Sequence, residues 1–182
     1  MEWMFMPLKR YAEFSGRSRR QEFWMYMLLL AIIWLVAIVT ILVIAGSALS
    51  MAGVSSDGTP RIGGMMGMIA SMGIIAVILG IIWLALLIPT IAVQVRRLHD
   101  TDRAGWWLFL YWGPYLLALA LSIGGAANQS AGLSGIGVIF SLVSWIGGIV
   151  LLVFWCLPGT NGPNKHGSDP LGGVGNLSQT FQ

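Results

Sequence analysis

The sequence predicts an all-α integral membrane protein with four transmembrane helices and an interfacial N-terminal helix. Hydrophobic residues make up 57% of the chain and charged residues only 9%, whereas about a quarter of the residues in a soluble domain are charged. The mean hydropathy is +0.80. Four apolar runs are each long enough to cross a bilayer, at residues 23–45, 65–93, 106–123 and 135–157.

The N-terminal segment, residues 1–22, is polar but carries aromatic side chains along its length. Trp3, Phe5, Tyr11 and Phe14 favour a position along the membrane interface. The apolar run that follows is longer than the core of a secretory signal peptide, which measures about 7 to 15 residues. We therefore expect this run to remain in the membrane as the first span.

The second span is preceded by a predicted exposed loop at residues 46–64, which is rich in glycine and serine. Small residues recur at four-residue spacing around the start of this span (Gly63, Gly67 and Ser71), and this favours close packing against another helix of the same chain. Near its other end, Pro89 is expected to kink the helix and to leave a carbonyl about one turn earlier without its helical donor.

The second half of the chain continues with two more spans and a tail. An uncharged loop of small residues is predicted at residues 124–134 between the third and fourth spans. Ser144 and Gly148 offer a close-packing face on the fourth span. Residues 158–182 form a tail rich in glycine, proline, asparagine and serine, in which turns are expected.

The distribution of basic residues predicts the orientation. Nine of the ten lysines and arginines lie in the N-terminal segment, the loop after the second span or the tail, and Arg61 alone lies in the first loop. Basic residues accumulate on the cytoplasmic side of a membrane. Both termini and the central loop are therefore expected to face the cytoplasm, with the four spans between them.

This topology places three motifs on one face of the membrane: GRSRRQEFW at residues 16–24, RRLHDTDRAGWW at 96–107 and PGTNGPNKHGSDP at 158–170. On these motifs the chain resembles the YhaH-like family of bacterial inner-membrane proteins, a domain of unknown function numbered 805. The matching residues are Tyr11, Phe14, Gly16, Arg17, Arg20, Glu22, Phe23 and Trp24; Arg96 to Asp100 with Gly105, Trp106 and Trp107; and Pro158, Gly159, Asn164, Gly167, Asp169 and Pro170.

The resemblance covers nearly the whole chain, and it implies a small multi-span membrane protein without implying an activity. The chain departs from the family pattern at Asp102 and Ala104, where glycine and serine are usual. It also has Lys165 and His166 where the family commonly has arginine and tyrosine.

The arginines of this face predict a binding site, because a guanidinium binds phosphates and carboxylates through two parallel hydrogen bonds. The expected ligand is an anionic lipid headgroup, another phosphorylated compound or a partner protein, which includes a second copy of the chain. The candidate ligand-binding residues are Arg17, Arg20, Glu22, Trp24, Arg96, Arg97, His99, Asp100, Trp106, Trp107, Asn164 and Asp169. The alternative is internal pairing, in which Glu22 and Asp100 neutralise the arginines and lock the helix ends together.

A second hypothesis is a small membrane enzyme that acts on a lipid or phosphorylated substrate, with His99 and Asp100 as weak catalytic candidates beside Arg97. Neighbouring residues on a helix point about 100° apart, which makes them poor hydrogen-bond partners. A transporter ranks third, because the spans contain no ionisable residues.

Metals, cofactors and nucleic acids are not expected as ligands. The two histidines, the single cysteine Cys156 and the aspartates show no metal-ligand spacing. The formal net charge of +3 is too small to indicate a nucleic-acid partner.

Overall fold

The computed structural model describes residues 2–51 and 62–170. Five α-helices follow one another in this part of the chain, with a 3₁₀ turn at Gly105–Leu108 before the fourth: α1 (Glu2–Lys9), α2 (Arg20–Met51), α3 (Ile62–Asp100), α4 (Phe109–Ala127) and α5 (Ala131–Cys156). The last four are long and apolar enough to cross a membrane. The predicted all-α class with four spans is confirmed.

The helices extend beyond the predicted spans. The loop predicted at residues 46–64 is shortened at both ends, and residues 52–61 lie outside the described part. The connection between α4 and α5 is likewise reduced to residues 128–130. The 39 residues of α3 measure about 58 Å, whereas the hydrocarbon core of a bilayer is about 30 Å thick. The end of α3 can therefore carry charged side chains out of the hydrocarbon.

The four long helices form two antiparallel pairs, α2 with α3 and α4 with α5. On α5, Ser144 Oγ donates a hydrogen bond to the Tyr111 carbonyl at 3.0 Å. One turn further on, a Cβ added at Gly147 would collide with the Leu110 backbone. The small-residue face predicted on the fourth span therefore receives α4.

The stripe of small residues at the start of α3 behaves differently. A Cβ added at Gly63 or Gly67 would meet nothing within 4 Å among the described atoms, so the predicted intramolecular packing is not seen at these two glycines. Large apolar side chains also point outwards along the pair, with 66% of Val43 and 67% of Ile69 exposed. Such faces suit contact with lipid.

The N-terminal segment is tied to α3 beside Pro89. Because proline has no N–H, the Ala85 carbonyl lacks its helical donor. The Tyr11 hydroxyl donates to this carbonyl at 2.6 Å. In the same turn, Thr90 Oγ1 lies 3.1 Å from the Tyr26 hydroxyl of α2. The carbonyl that the proline was predicted to free is therefore satisfied by the segment that follows α1.

Two small hydrophobic clusters join the helix pairs at one end of the molecule. Phe23, Tyr26 and Val93 form the first cluster. Leu98, Leu108 and Leu151 form the second, and Trp155 of α5 packs against both. These clusters fix the end of α3 relative to the start of α2 and the end of α5, which is where the charged motifs lie.

Candidate functional site

The three sequence motifs meet at this end of the molecule, which we call the polar face. It consists of residues 11–22 before and at the start of α2, residues 94–105 at and after the end of α3, and residues 158–170, which we call the tail. Backbone hydrogen bonds join the segments directly. Ser18 N–H donates to the Arg96 carbonyl at 3.2 Å, and Thr160 N–H donates to the Asp100 carbonyl at 2.8 Å.

Asp100 is the charged centre of the polar face. Its Oδ1 accepts a hydrogen bond from Arg17 Nε at 3.0 Å and lies 2.9 Å from Arg17 Nη2. Its Oδ2 forms an ion pair with Arg97 Nη1. All three side chains are buried. One carboxylate therefore faces two guanidinium groups, and the triad retains a net positive charge.

Arg17 also fixes the path of the tail. Its Nη1 donates to the Gly162 carbonyl and its Nη2 to the Thr160 carbonyl, each at 2.6 Å. The tail lies so close to the triad that a Cβ added at Gly159 would collide with the Asp100 carboxylate. Any larger residue at this position would displace the buried carboxylate from its two arginines.

Two arginines bind the end of α5, where the last carbonyls of a helix have no helical donor. Arg97 Nε donates to the Trp155 carbonyl at 3.1 Å, and Arg97 Nη2 donates to the Leu157 carbonyl. Arg20 Nε donates to the same Leu157 carbonyl at 3.0 Å. Cations at this position also suit the negative end of the helix dipole.

A second buried ion pair joins the start of α2 to the end of α3. Arg96 Nη2 lies 3.2 Å from Glu22 Oε1, and both side chains are almost completely buried. The two atoms are not aligned for a hydrogen bond, and the Arg96 nitrogens have no hydrogen-bond partner among the described residues. Arg96 and Arg97 are adjacent in sequence, yet they take different carboxylates.

Asn164 and Asp169 shape the tail. Asn164 Nδ2 donates to the His99 carbonyl at the end of α3 at 2.9 Å, and its Oδ1 accepts from His166 N–H at 2.9 Å. Asp169 Oδ2 accepts from Gly162 N–H at 3.0 Å. Both predicted site residues therefore hold the tail in its turn and against α3.

His99 does not contact the Asp100 carboxylate. Its Nδ1 lies 3.3 Å from the carbonyl oxygen of Gly16 in the N-terminal segment, a residue with a positive φ of 82°. Its ring stacks on His166 of the tail, with ring centroids 3.9 Å apart and an angle of 4° between the planes. The weak catalytic candidates His99 and Asp100 therefore have separate partners.

The predicted tryptophans lie apart from the triad. Trp24 packs edge-on against Phe23 and is 41% exposed. Trp106 is 62% exposed and stacks on Trp107 with centroids 4.8 Å apart. Arg103 lies over the Phe154 ring, 4.0 Å from its centroid.

An open cleft of about 330 Å³ lies between the start of α2 and the tail. Its charged lining consists of Arg17, Arg19, Arg20, Asp100 and Asp169. Arg17 and Asp100 belong to the triad. Arg19 and Arg20 form no ion pair with any residue in the described ranges. Arg19 lies over the Trp3 ring, 5.4 Å from its centroid, and Arg20 donates to the Leu157 carbonyl.

Sequence reasoning missed the part played by the tail backbone and by Arg19. The carbonyls of Thr160 and Gly162 receive the Arg17 guanidinium, but a carbonyl has no signature in a sequence. Arg19 stands beside the predicted Arg20 in GRSRRQEFW, and the only available signal was its basic character.

The described residues contain no cluster of three histidine, cysteine, aspartate or glutamate side chains that would hold a metal ion. Guanidinium groups outnumber carboxylates in the lining of the cleft, three to two.

Comparison with known proteins places the chain in a family. Residues 11–168 match the family model described as protein of unknown function (DUF805). The chain is 30% identical over 171 residues to the inner membrane protein YhaI of Escherichia coli K12, covering 93% of this chain and 96% of that protein. It is 32% identical over 170 residues to the inner membrane protein YhaH of the same strain, covering 93% and 97%. No solved structure matches significantly.

Proposed function

The chain belongs to the DUF805 family of proteins of unknown function, and we propose that it is a membrane-embedded binding module for an anionic, phosphate-bearing ligand. The ligand occupies the cleft between the start of α2 and the tail. The observation that carries this proposal is the pair Arg19 and Arg20, which border the cleft without an ion pair to any carboxylate of the described residues.

The other arginines of the face act as the scaffold of this site. Arg96 and Arg97 are both buried. Arg96 forms an ion pair with Glu22, and Arg97 forms one with Asp100 and donates a hydrogen bond to the end of α5. Arg17 is shared between Asp100 and the tail. A phosphate that bridges Arg19 and Arg20 would form charge-assisted hydrogen bonds worth about 1.5 to 3 kcal/mol each.

The orientation of the polar face belongs to the same proposal. Nine of the ten basic residues lie on the side that carries this face, which supports a cytoplasmic position for both termini in the inner membrane. Trp24 and Trp106, with their exposed rings, suit the depth of the lipid headgroups. A lipid headgroup and a soluble phosphorylated compound share the chemistry that the cleft would recognise.

The test is native mass spectrometry of the protein released from its own membrane, compared with the Arg19→Gln/Arg20→Gln variant. Arg103→Gln is the matched control, because it removes the same type of charge from the same face while Arg103 packs on Phe154 away from the cleft. We expect a defined adduct in the wild type and in the control, and its loss in the double variant.

Two reconstitution experiments separate the sources of the ligand. Phosphatidylcholine nanodiscs with added phosphatidylglycerol test a lipid headgroup, and inorganic phosphate added to phosphatidylcholine nanodiscs tests a soluble ligand. We expect the double variant to bind at least about tenfold more weakly, since each lost charge-assisted contact is worth more than 1.4 kcal/mol. An adduct that survives in the double variant, or no adduct in the wild type, would overturn the proposal and leave a protein partner as the occupant to seek.

A further inference from the structure

The stacked histidine pair joins all three segments of the polar face. His99 lies at the end of α3. Its Nδ1 contacts the Gly16 carbonyl of the N-terminal segment, and its ring stacks on His166 of the tail. With centroids 3.9 Å apart and nearly parallel planes, the rings overlap face to face. Two neutral imidazoles can stack in this way, whereas two imidazolium cations at this distance repel each other.

The charges around the pair are mostly positive. On the tail, Lys165 precedes His166 and lies 3.5 Å from Asp102, the nearby carboxylate after α3. The charge of Arg17, in the N-terminal segment, also acts against a proton on His166. On α3 itself, the Asp100 carboxylate is already held by Arg17 and Arg97. Among the described residues, Asp102 is the carboxylate that favours a cationic His166, and it is shared with Lys165.

His166 is also poorly placed to carry a proton. Its Nε2 is buried and has no hydrogen-bond partner within the described ranges. Burial and then the charge of Lys165 lower the pKa of His166 from its ordinary 6.5, while Asp102 opposes and Arg17 adds to this effect. A charged His166 would therefore have a buried N–H without an acceptor, beside a cationic neighbour.

We infer that the His99–His166 stack is a pH-sensitive latch, which strengthens the docking of the tail on α3 when both rings are neutral and weakens it when they take up protons. The tail forms one wall of the cleft, through residues such as Thr160 and Asp169. Release of the tail therefore opens the cleft, and this second step rests on the proposed function. The latch itself does not require a ligand.

The direction of the pH effect follows from proton linkage. The undocked tail binds a proton on His166 with an ordinary pKa near 6.5, and the docked tail binds it only at lower pH. Docking is therefore fully stable above about pH 6.5 and weakens as the pH falls below it. The ratio of docked to undocked tail falls by up to about tenfold per pH unit for each proton taken up, until the lowered pKa of the docked state is reached.

The latch is tested by a distance measurement across it. Spin labels are placed on cysteines at Ser15 and Ser168, which are both exposed, in a Cys156→Ser background that removes the exposed native thiol. Electron–electron distance distributions are recorded in nanodiscs at about pH 7.5 and about pH 5.5, one unit on either side of the ordinary histidine pKa. We expect one short, narrow distribution at the higher pH and an added long component at the lower pH, which disappears when the pH is restored.

Two variants of His166 make the result specific. His166→Tyr keeps an aromatic face for stacking, and His166→Gln removes it, but neither side chain titrates between these pH values. We expect the pH dependence to be smaller in both variants, whatever their absolute degree of docking, because only His99, whose pKa is lowered chiefly by burial, still titrates there. Circular dichroism at both pH values reports whether the helices stay folded.

A wild type with the same distance distribution at both pH values would overturn the latch, as would a pH response that persists unchanged in both variants. Neither result depends on ligand binding. A failed latch and a failed anion site are therefore distinguishable.

Discussion

Replacement of Asp100 by asparagine removes the one negative charge that separates two buried guanidinium groups. The asparagine Oδ1 can still accept from Arg17, but its Nδ2 then faces Arg97 Nη1, so that two donors meet where an ion pair stood. The Arg17 and Arg97 side chains are 1% and 0% exposed, which prevents water from taking the place of the carboxylate. Loss of one partner from a buried ion pair costs about 3 to 5 kcal/mol.

This magnitude predicts a large loss of thermal stability. For a chain of this length, about 1 kcal/mol corresponds to a shift in Tm of about 2 to 4 °C, so we expect the Tm of Asp100→Asn to fall by roughly 6 to 20 °C. The assay is thermal unfolding in nanodiscs, followed by tryptophan fluorescence. The matched control is Asp102→Asn, two residues away, whose carboxylate is 44% exposed and lies 3.5 Å from Lys165. An exposed pair of this kind is worth less than about 1 kcal/mol.

Equal effects of the two substitutions would refute the reasoning, because they would mean that burial of the triad contributes nothing. A double variant sharpens the test. Removal of Arg97 as well, in Asp100→Asn/Arg97→Gln, takes away the uncompensated cation. We therefore expect the double variant to lose less stability than the sum of the two single variants.

Two further substitutions test the packing that positions the polar face. Tyr11→Phe removes the donor to the Ala85 carbonyl and should cost about 1 kcal/mol or slightly more, which thermal unfolding will detect. Gly147→Ala places a methyl group against the Leu110 backbone and should cost about 1 to 3 kcal/mol through overpacking between α4 and α5. Gly135→Ala on the same helix is the control, because its Cβ would meet nothing within 4 Å among the described atoms.

The result for Tyr11 needs its own control. Tyr115→Phe removes a hydroxyl from a tyrosine that is 39% exposed on α4. An unchanged stability in Tyr115→Phe beside a lowered one in Tyr11→Phe would assign the cost to the carbonyl that Pro89 leaves without a donor. Equal losses would contradict this assignment.

Much of the fold could be predicted because the hydrophobicity of a segment and the effect of a proline on its helix are local properties. Pro89 predicted a free carbonyl one turn earlier, and Ala85 is that carbonyl. The helix ends were less well predicted, since helical hydrogen bonding continues through the charged residues up to Asp100. Hydropathy locates the part of a helix that lies in hydrocarbon, and it carries no information on how far the helix extends into the headgroups.

The candidate site could be predicted as a set of residues but not as a set of partners. Internal pairing of Arg17 or Arg97 with Glu22 or Asp100 was one of the two alternatives for the face. Both arginines pair with Asp100, whereas Glu22 pairs with Arg96. The predicted ligand role of these residues stays a prediction. Arg19, which was not among the predicted site residues, lines the cleft. It becomes a candidate for ligand binding because neighbouring arginines are already paired, and a sequence does not show which arginines are paired.

The sequence by itself determined that four apolar segments cross a membrane and that three charged motifs share one end. The physical reason is that hydrocarbon excludes charge and that an even number of spans returns the chain to the same side. Only the tertiary structure decided the ion pairs. Asp100 pairs with Arg17 and Arg97, whereas Arg96, the neighbour of Arg97 in sequence, pairs with Glu22. Adjacent side chains on a helix point about 100° apart. Their partners therefore depend on how α3 is rotated against α2, α5 and the tail, and this rotation is fixed by contacts between residues far apart in sequence.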